Sequence, residues 1–438
     1  MQHSAVLCYT SHMLRFNENN EIITEEDYRA LLVGLQRRED ISYSMEELAG
    51  LAEAANIQVL GKVVQVLERP NTATFIGKGK VEEVAELARN MDCDVVIFND
   101  ELTGMQLRNL EDAIGVRVID RTILILDIFA ARADSKEGKL QVELAQLKYR
   151  MPRLIGFGKS LSRLGGGIGT RGPGEKKLET DRRHIERRMD DIKDELEQLR
   201  KTRGVQRQKR EKSGIPVVAL VGYTNSGKSA MMNRLLSITD KEEKSVKEKD
   251  MLFATLDTQQ RSVKLDTNHE FILVDTVGFV SKLPHSLVEA FKATLEEVNY
   301  ADLLLHVVDA AYDENLFHIN VTNQVLGEIG AADKEKLMVF NKIDLNPDFE
   351  PPATGEEHVF VSAKENINID VLIEKIKERI FADKVRTKML IPYTRGDISS
   401  YLCEKALVES MEYLENGTLF DVELRQEDYQ RYREYEVI

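Results

Sequence analysis

Eight consecutive residues, Gly222, Tyr223, Thr224, Asn225, Ser226, Gly227, Lys228 and Ser229, fit the spacing GxxxxGKS, and Ala230 follows them. The apolar run PVVALV precedes them and the helix-competent AMMNRLL comes after. Between a strand and a helix, such a loop turns its backbone N–H groups onto a phosphate. Its lysine offsets charge on the β- and γ-phosphates, and its hydroxyl offers Mg2+ a hard oxygen. The expected site is a nucleoside triphosphate cradle in which Lys228 is catalytic and Ser229 ligates metal.

Three more elements follow in chain order. Asp275, Thr276 and Gly278 close the strand-like run FILV. The carboxylate can reach Mg2+ through water, and the Gly278 N–H can meet the γ-phosphate. Asn341, Lys342 and Asp344 follow LMVF. A carboxylate at Asp344 can accept from both the N1–H and the 2-amino group of guanine, a donor pair that adenine lacks. Ser362, Ala363 and Lys364 follow HVFV and suit a backbone contact to the guanine O6. Each set falls at the C-terminal end of a strand, where open α/β sheets bind ligands. GTP or GDP with Mg2+ is the implied cofactor set.

The position after DxxG, where many GTPases carry a water-orienting glutamine, holds Phe279. A phenyl ring neither accepts nor donates the hydrogen bond that aligns water, so intrinsic hydrolysis is expected to be slow until a partner completes the site.

The elements that must position these residues divide the 438-residue chain into several units, as about 150 residues per domain would suggest. Residues 1–120 read as a parallel α/β domain: strands at SAVLCY, IQVLGKVVQV, DVVIFN and VRVID alternate with helix-period runs at EEDYRALLVGLQ, KVEEVAELARN and MQLRNLEDA. Ser44 with Glu47 reads as a capping box opening the helix before Ile57. Gly77 and Gly79 sit in a strand-to-helix turn that could hold an anion but more simply forms a tight turn.

Residues 121–212 read as a helical hairpin. One apolar seam runs through Leu126, Ala130, Ala133, Leu140, Leu144, Leu147, Met151 and Leu154, broken at Glu137 and strained at Pro152. A second runs through Leu178, Ile185, Met189, Ile192, Leu196 and Leu199, so an antiparallel two-helix coiled coil is expected. The joining loop, 156–174, contains eight glycines, the cations Lys159, Arg163 and Arg171, and no acid. Such a segment cannot repay its ordering entropy with its own side chains, and its charge nominates an anionic partner. Residues 213–383 form the GTPase (G) domain, and 384–438 a small C-terminal α/β domain with a hairpin turn at Asn416-Gly417.

Charge separates these units. The chain holds 60 Lys and Arg against 75 Asp and Glu, a net −15, yet between Lys148 and Lys212 there are 20 bases and 10 acids. A basic middle lies between acidic ends, and from Asp397 onward 11 acids face 4 bases, which disfavours a nucleic-acid face there. No DNA partner is expected. Cys8, Cys93 and Cys403 are too scattered for a disulfide framework or a zinc module. With no membrane-length apolar run and no secretory leader, a soluble chain resident in the cytoplasm is expected, with peripheral membrane association left open.

The four nucleotide motifs in this order resemble the TRAFAC class of GTPases. The runs LFATLD (252–257), DTVGFVSKLPHSLVEAFKATLEE (275–297), DIFAARADSKEGKLQVELAQLKYRMPRL (127–154) and GGGIGTRGPGEKKLETDRR (165–183) resemble the HflX family of ribosome-associated GTPases. The resemblance covers about residues 60–380 and implies several things. One is binding to the large ribosomal subunit, with the glycine-rich loop, carrying Lys159, Arg163 and Arg171, approaching rRNA near the peptidyl transferase centre. Another is GTP-linked splitting or rescue of stalled ribosomes under stress. It also implies Thr255 as the switch I threonine, catalytic and a third metal ligand beside Ser229 and Asp275. The sequence departs from the family pattern at Thr258-Gln259-Gln260, where a proline then threonine is usual, so Thr258 competes for that role. Asn225 matches the P-loop asparagine of potassium-activated GTPases, which implies a K+ ligand in catalysis, while a turn-forming role fits asparagine equally. Two other functions stay open: a regulatory GTPase whose hairpin binds a protein, and a second nucleotide site at the Gly77/Gly79 turn.

Overall fold

The computed structural model describes residues 28–154, 173–213, 215–237, 253, 259–265, 269–282, 297–352, 355–382 and 384–437. The N-terminal unit is built from β1 (Tyr28–Gln36), α1 (Ser42–Ala54), β2 (Ile57–Val66), α2 (Lys78–Asn90), β3 (Val95–Phe98), α3 (Gly104–Ile114), β4 (Arg117–Asp120) and α4 (Arg121–Arg132). Its sheet is parallel in the order β2-β1-β3-β4. This is the parallel α/β architecture expected, with one element corrected. The helix expected over EEDYRALLVGLQ is the central strand β1, buried continuously from Ala30 to Leu35. A strand covered on both faces is apolar throughout, and periodicity cannot then separate it from a buried helix. The expected strand SAVLCY lies outside the described residues.

Two local expectations change. The N-cap of α1 is Ile41, without a side-chain cap, so Ser44 and Glu47 form no capping box. Ser44 Oγ instead donates to Asn99 Oδ1 at 3.1 Å, and Glu47 is engaged across the molecule. Gly77 caps α2, and its N–H donates to Gln65 Oε1 at 2.8 Å, so this donor is spent within the unit.

The helix α4 is capped by Asp120, whose carboxylate accepts from the Ile123 and Leu102 N–H groups at 3.0 Å each. The expected long seam is corrected here: Leu126 and Ala133 are buried in the N-terminal unit's core, with Ala130 packed against it. The backbone turns extended at Ala133, which ends the helix and lets the next one set off in its own direction. That next helix is α5 (Lys136–Leu154), and α6 (Pro173–Ser213) runs antiparallel to it. Leu140 and Leu144 pack against Met189 and Ile192, flanked by Leu147, Met151, Ile185, Leu196 and Leu199. Glu137, the polar break in the seam, pairs with Arg203 at 2.5 Å.

The G unit holds β5 (Val217–Val221), α7 (Lys228–Leu236), β6 (Gln259–Lys264), β7 (Glu270–Asp275), β8 (Leu303–Asp309), α8 (Asn315–Ile329), β9 (Lys336–Asn341), β10 (His358–Phe360) and α9 (Ile369–Ile380). Its sheet order is β10-β9-β8-β5-β7-β6, parallel except for the edge strand β6. The C-terminal unit pairs β11 (Lys384–Ile391), β13 (Gly417–Arg425) and β12 (Leu407–Leu414) in an antiparallel sheet. That sheet packs on α10 (Gly396–Lys405) and α11 (Gln426–Tyr432) through a core of its own including Met389, Phe420 and Leu402. Among the described residues no helix is long and apolar enough to cross a membrane.

The first unit and the G unit share one core. Leu48, Ile125 and Phe129 from the former are buried in the same cluster as Tyr223, Phe253, Phe279 and Leu326 from the latter. In the N-terminal sheet the chain turns from β1 to β2 on one side and to β3 on the other, which places a crevice at the C-terminal ends of β1 and β3. At that end of the sheet the G unit's Lys282 reaches Asp100, just after β3, at 2.9 Å.

Candidate nucleotide site

The loop 222–229 leaves β5 and opens α7, with Gly227 as the helix N-cap at φ +92°. A Cβ at Gly227 would lie 2.2 Å from Asn341 Nδ2, so glycine is required there both by conformation and by close approach. Lys228 Nζ curls back to donate to the Gly222 carbonyl at 3.1 Å and the Tyr223 carbonyl at 2.7 Å. Burial lowers its pKa to about 8, with nearby Asp275 pulling the other way. A buried ammonium of this kind gains most from an incoming polyanion, because desolvation leaves it short of counter-charge.

Ser229, on the first turn of α7, donates to Asp275 Oδ2 at 2.8 Å, so a hydroxyl and a carboxylate converge at the end of β7. Two hard oxygens at this spacing fit a hard divalent cation such as Mg2+. Thr276 Oγ1 is turned the other way and donates to the Leu220 carbonyl at 2.6 Å. Gly278 packs so tightly that a Cβ would come 2.7 Å from Thr224 Cα and 3.0 Å from Lys228 Nζ. The backbone after DxxG is sewn to the loop by Thr224 N–H to the Phe279 carbonyl (2.7 Å) and Phe279 N–H to the Gly222 carbonyl (3.2 Å). The Phe279 ring is buried in the core shared with the N-terminal unit.

At the end expected to read the base, Asn341 spans two loops. Its Nδ2 donates to the Ser226 carbonyl at 2.9 Å, and its Oδ1 accepts from the Ala363 N–H at 3.0 Å. Lys342 adopts φ +65° and pairs with Asp309 at 2.7 Å. Asp344 sits in the short 3-10 turn Ile343–Leu345, half-buried. Ser362 Oγ accepts from the Glu365 N–H at 3.0 Å, and the Lys364 side chain is exposed. Asn225 is exposed at φ +60°, and Ala230 is half-buried on α7. Thus the structure brings the four motifs to one edge of the sheet. Thr255, Thr258, Lys159, Arg163 and Arg171 lie outside the described residues.

Sequence reasoning missed four participants. Arg234 on α7 donates to the Ala363 carbonyl at 2.8 Å and the Lys364 carbonyl at 2.9 Å, tying the 362–364 loop to the helix that follows the phosphate loop. Glu47, Arg121 and Ser281 form a buried network against the Tyr223 hydroxyl. A glutamate within the apolar helix pattern SYSMEELAGLAEA was the one available signal.

Three family models match in tandem: "GTP-binding GTPase N-terminal" over residues 42–130, "GTP-binding GTPase Middle Region" over 132–210 and "50S ribosome-binding GTPase" over 217–342. The GTPase HflX of Caldanaerobacter subterraneus subsp. tengcongensis is 48% identical over 415 residues, 95% of each chain. This chain belongs to the HflX GTPase family. HflX of Escherichia coli is 42% identical over 380 residues, 86% of this chain and 88% of its own. A solved GTP-binding protein from the archaeon Sulfolobus solfataricus in complex with GDP is 26% identical, with 81% of this chain and 99% of that chain aligned at a TM-score of 0.43. As an HflX GTPase the chain binds GTP and hydrolyses it to GDP and phosphate.

Proposed function

We propose that the chain is a GTP-driven switch that binds the large ribosomal subunit and splits or rescues stalled ribosomes under stress. What carries the ribosomal part is the match of residues 217–342 to a family described as ribosome-binding, in a chain whose middle is basic while its ends are acidic. In this reading Lys159, Arg163 and Arg171 on the glycine-rich loop contact rRNA, the glycines allowing close backbone approach.

At the nucleotide site, Ser229 and Asp275, joined by Thr255, hold Mg2+, which neutralises developing phosphate charge when bound. Lys228 and the backbone of Gly222 to Gly227 hold the phosphates, and the Gly278 N–H meets the γ-phosphate. Thr276 keeps the strand end in place. Asp344 reads guanine, Asn341 and Lys342 stiffen its loop, and Ser362, Ala363 and Lys364 face the O6. Asn225 offers an amide oxygen to K+, so turnover in K+ should exceed turnover in Na+. The burial of Phe279 supports slow intrinsic hydrolysis, because no side chain at that position can align water.

The test is GTP turnover with and without purified large subunits, together with subunit splitting. Large subunits are expected to raise turnover, and deleting residues 160–172 to abolish splitting while nucleotide affinity is kept. Unchanged turnover with subunits present, or unchanged splitting by the deletion variant, refutes the reading.

A further inference from the structure

Within the core shared by the N-terminal unit and the G unit lies a buried ion pair. Glu47 from α1 and Arg121 from the start of α4 are both buried there, with side chains about 2% exposed, and bond to each other. Their remaining bonds cross into the G unit. Glu47 Oε1 accepts from the Tyr223 hydroxyl, and Oε2 from the Ser281 hydroxyl. Arg121 Nη2 donates to the Ser281 carbonyl and hydroxyl at 3.2 Å each, while Nη1 holds Asn99 and the Ser44 carbonyl within its own unit. The Ser281 N–H donates to the Tyr223 hydroxyl at 2.7 Å, closing the ring.

Tyr223 belongs to the phosphate loop, and its carbonyl is one of the two that hold Lys228 Nζ. Ser281 lies three residues beyond Gly278. One carboxylate from another unit therefore bonds both the phosphate loop and the segment that carries the γ-phosphate donor, and it reinforces the backbone pairs between Thr224, Phe279 and Gly222. The Tyr223 ring is held as well: it stacks on His318 at 3.9 Å and 12°, and His318 Nε2 bonds the Tyr43 hydroxyl at 2.7 Å. Tyr43 of α1 thus supports the same ring through His318.

A buried ion pair is poor value as glue, since apolar residues of the same volume stabilise as well. What it provides here is direction: hydrogen bonds fix a register, which packing of Phe129, Phe253 and Phe279 alone would not. We propose that Glu47 is a positioning residue for GTP hydrolysis, acting through Tyr223 and Ser281 to hold Gly278 in register with Lys228. GDP binding depends on the loop backbone and the base-reading end, which Glu47 does not touch. Hydrolysis depends in addition on the placement of Gly278. The proposal needs only the GTPase activity of the family and is independent of the ribosomal reading.

Glu47→Ala would strand the Arg121 charge in the core and could simply unfold the interface, so the test uses changes that each remove one hydroxyl, Tyr223→Phe and Ser281→Ala. Intrinsic kcat is expected to fall in each by roughly tenfold or more, the scale on which small misplacements of reacting groups act. The Kd for GDP should stay within about twofold, and the double variant should be hardly worse than either single one, because both hydroxyls serve one carboxylate. Three results overturn the proposal: kcat unchanged in both variants; kcat and GDP affinity falling together in step with Tm, which is the mark of a structural role; or fully additive losses. Wild-type protein with no GTP turnover would instead count against the parent activity, so the two failures are distinguishable.

Discussion

Phe129, on the last turns of α4, meets Phe253 edge-to-face with ring centroids 4.6 Å apart. Phe253 precedes the expected switch I threonine by two positions, and its N–H donates to Thr224 Oγ1 of the phosphate loop at 2.9 Å. The N-terminal unit thereby touches Phe253, beside the expected switch I, as well as the phosphate loop and the segment after Gly278. Phe129→Ala should lower stability by about 3–5 kcal/mol, the cost of emptying a buried phenyl site. Chemical denaturation with and without GDP measures it, and a loss below about 1 kcal/mol would show that the contact adds little.

Lys228 links pH to both stability and binding. Its folded pKa of about 8 lies below its ordinary 10.5, so between those values the unfolded chain binds more protons. Raising pH across that window should stabilise the nucleotide-free protein at this group. Over the same window GTP affinity should fall, because binding then requires the amine to take up a proton. Titration calorimetry at about pH 7.5, below the folded value, and at about pH 9.5, inside that window, checks the sign in two buffers of different ionisation heat.

Asp344→Asn should exchange base preference. In the proposed reading the carboxylate's two acceptors serve the N1–H and 2-amino donors of guanine, whereas an amide can donate to the 2-oxo group of xanthine. GTP affinity is expected to drop on the order of 10⁴-fold, with xanthosine triphosphate gaining. Competition binding with both nucleotides decides it, and equal loss of both would mean that the loop had collapsed.

Ser229→Ala removes the hydroxyl that lies 2.8 Å from Asp275. The Mg2+ concentration giving half-maximal turnover should rise, and kcat at saturating Mg2+ should fall on the order of a hundredfold. A Mg2+ titration of GTP turnover tests this directly. An unchanged midpoint would remove Ser229 from the ligand set.

Arg234→Ala should weaken guanine-nucleotide binding from a distance, since Arg234 ties the Ala363 and Lys364 carbonyls to α7. Losing two charge-assisted bonds at a half-exposed site is expected to cost about 1–3 kcal/mol of affinity. Stopped-flow release of a fluorescent GDP analogue should show it as faster dissociation, with association nearly unchanged.

What the chain's order alone determined is the nucleotide chemistry. The phosphate loop, Asp275 to Gly278, Asn341 to Asp344 and Ser362 to Lys364 are each contiguous, and each needs only a strand end to be placed, so local spacing reveals them. The strand β1 escaped because double-sided burial erases any period. The seam through Leu126 was drawn too long because a heptad pattern does not mark a change of partner. Only the tertiary structure could show that Glu47, 176 residues from Tyr223 and 234 from Ser281, closes on both. Hydrogen bonds between units leave no pattern in sequence spacing: a carboxylate reads the same on an exposed helix face as in a core, and folding alone decides which it meets.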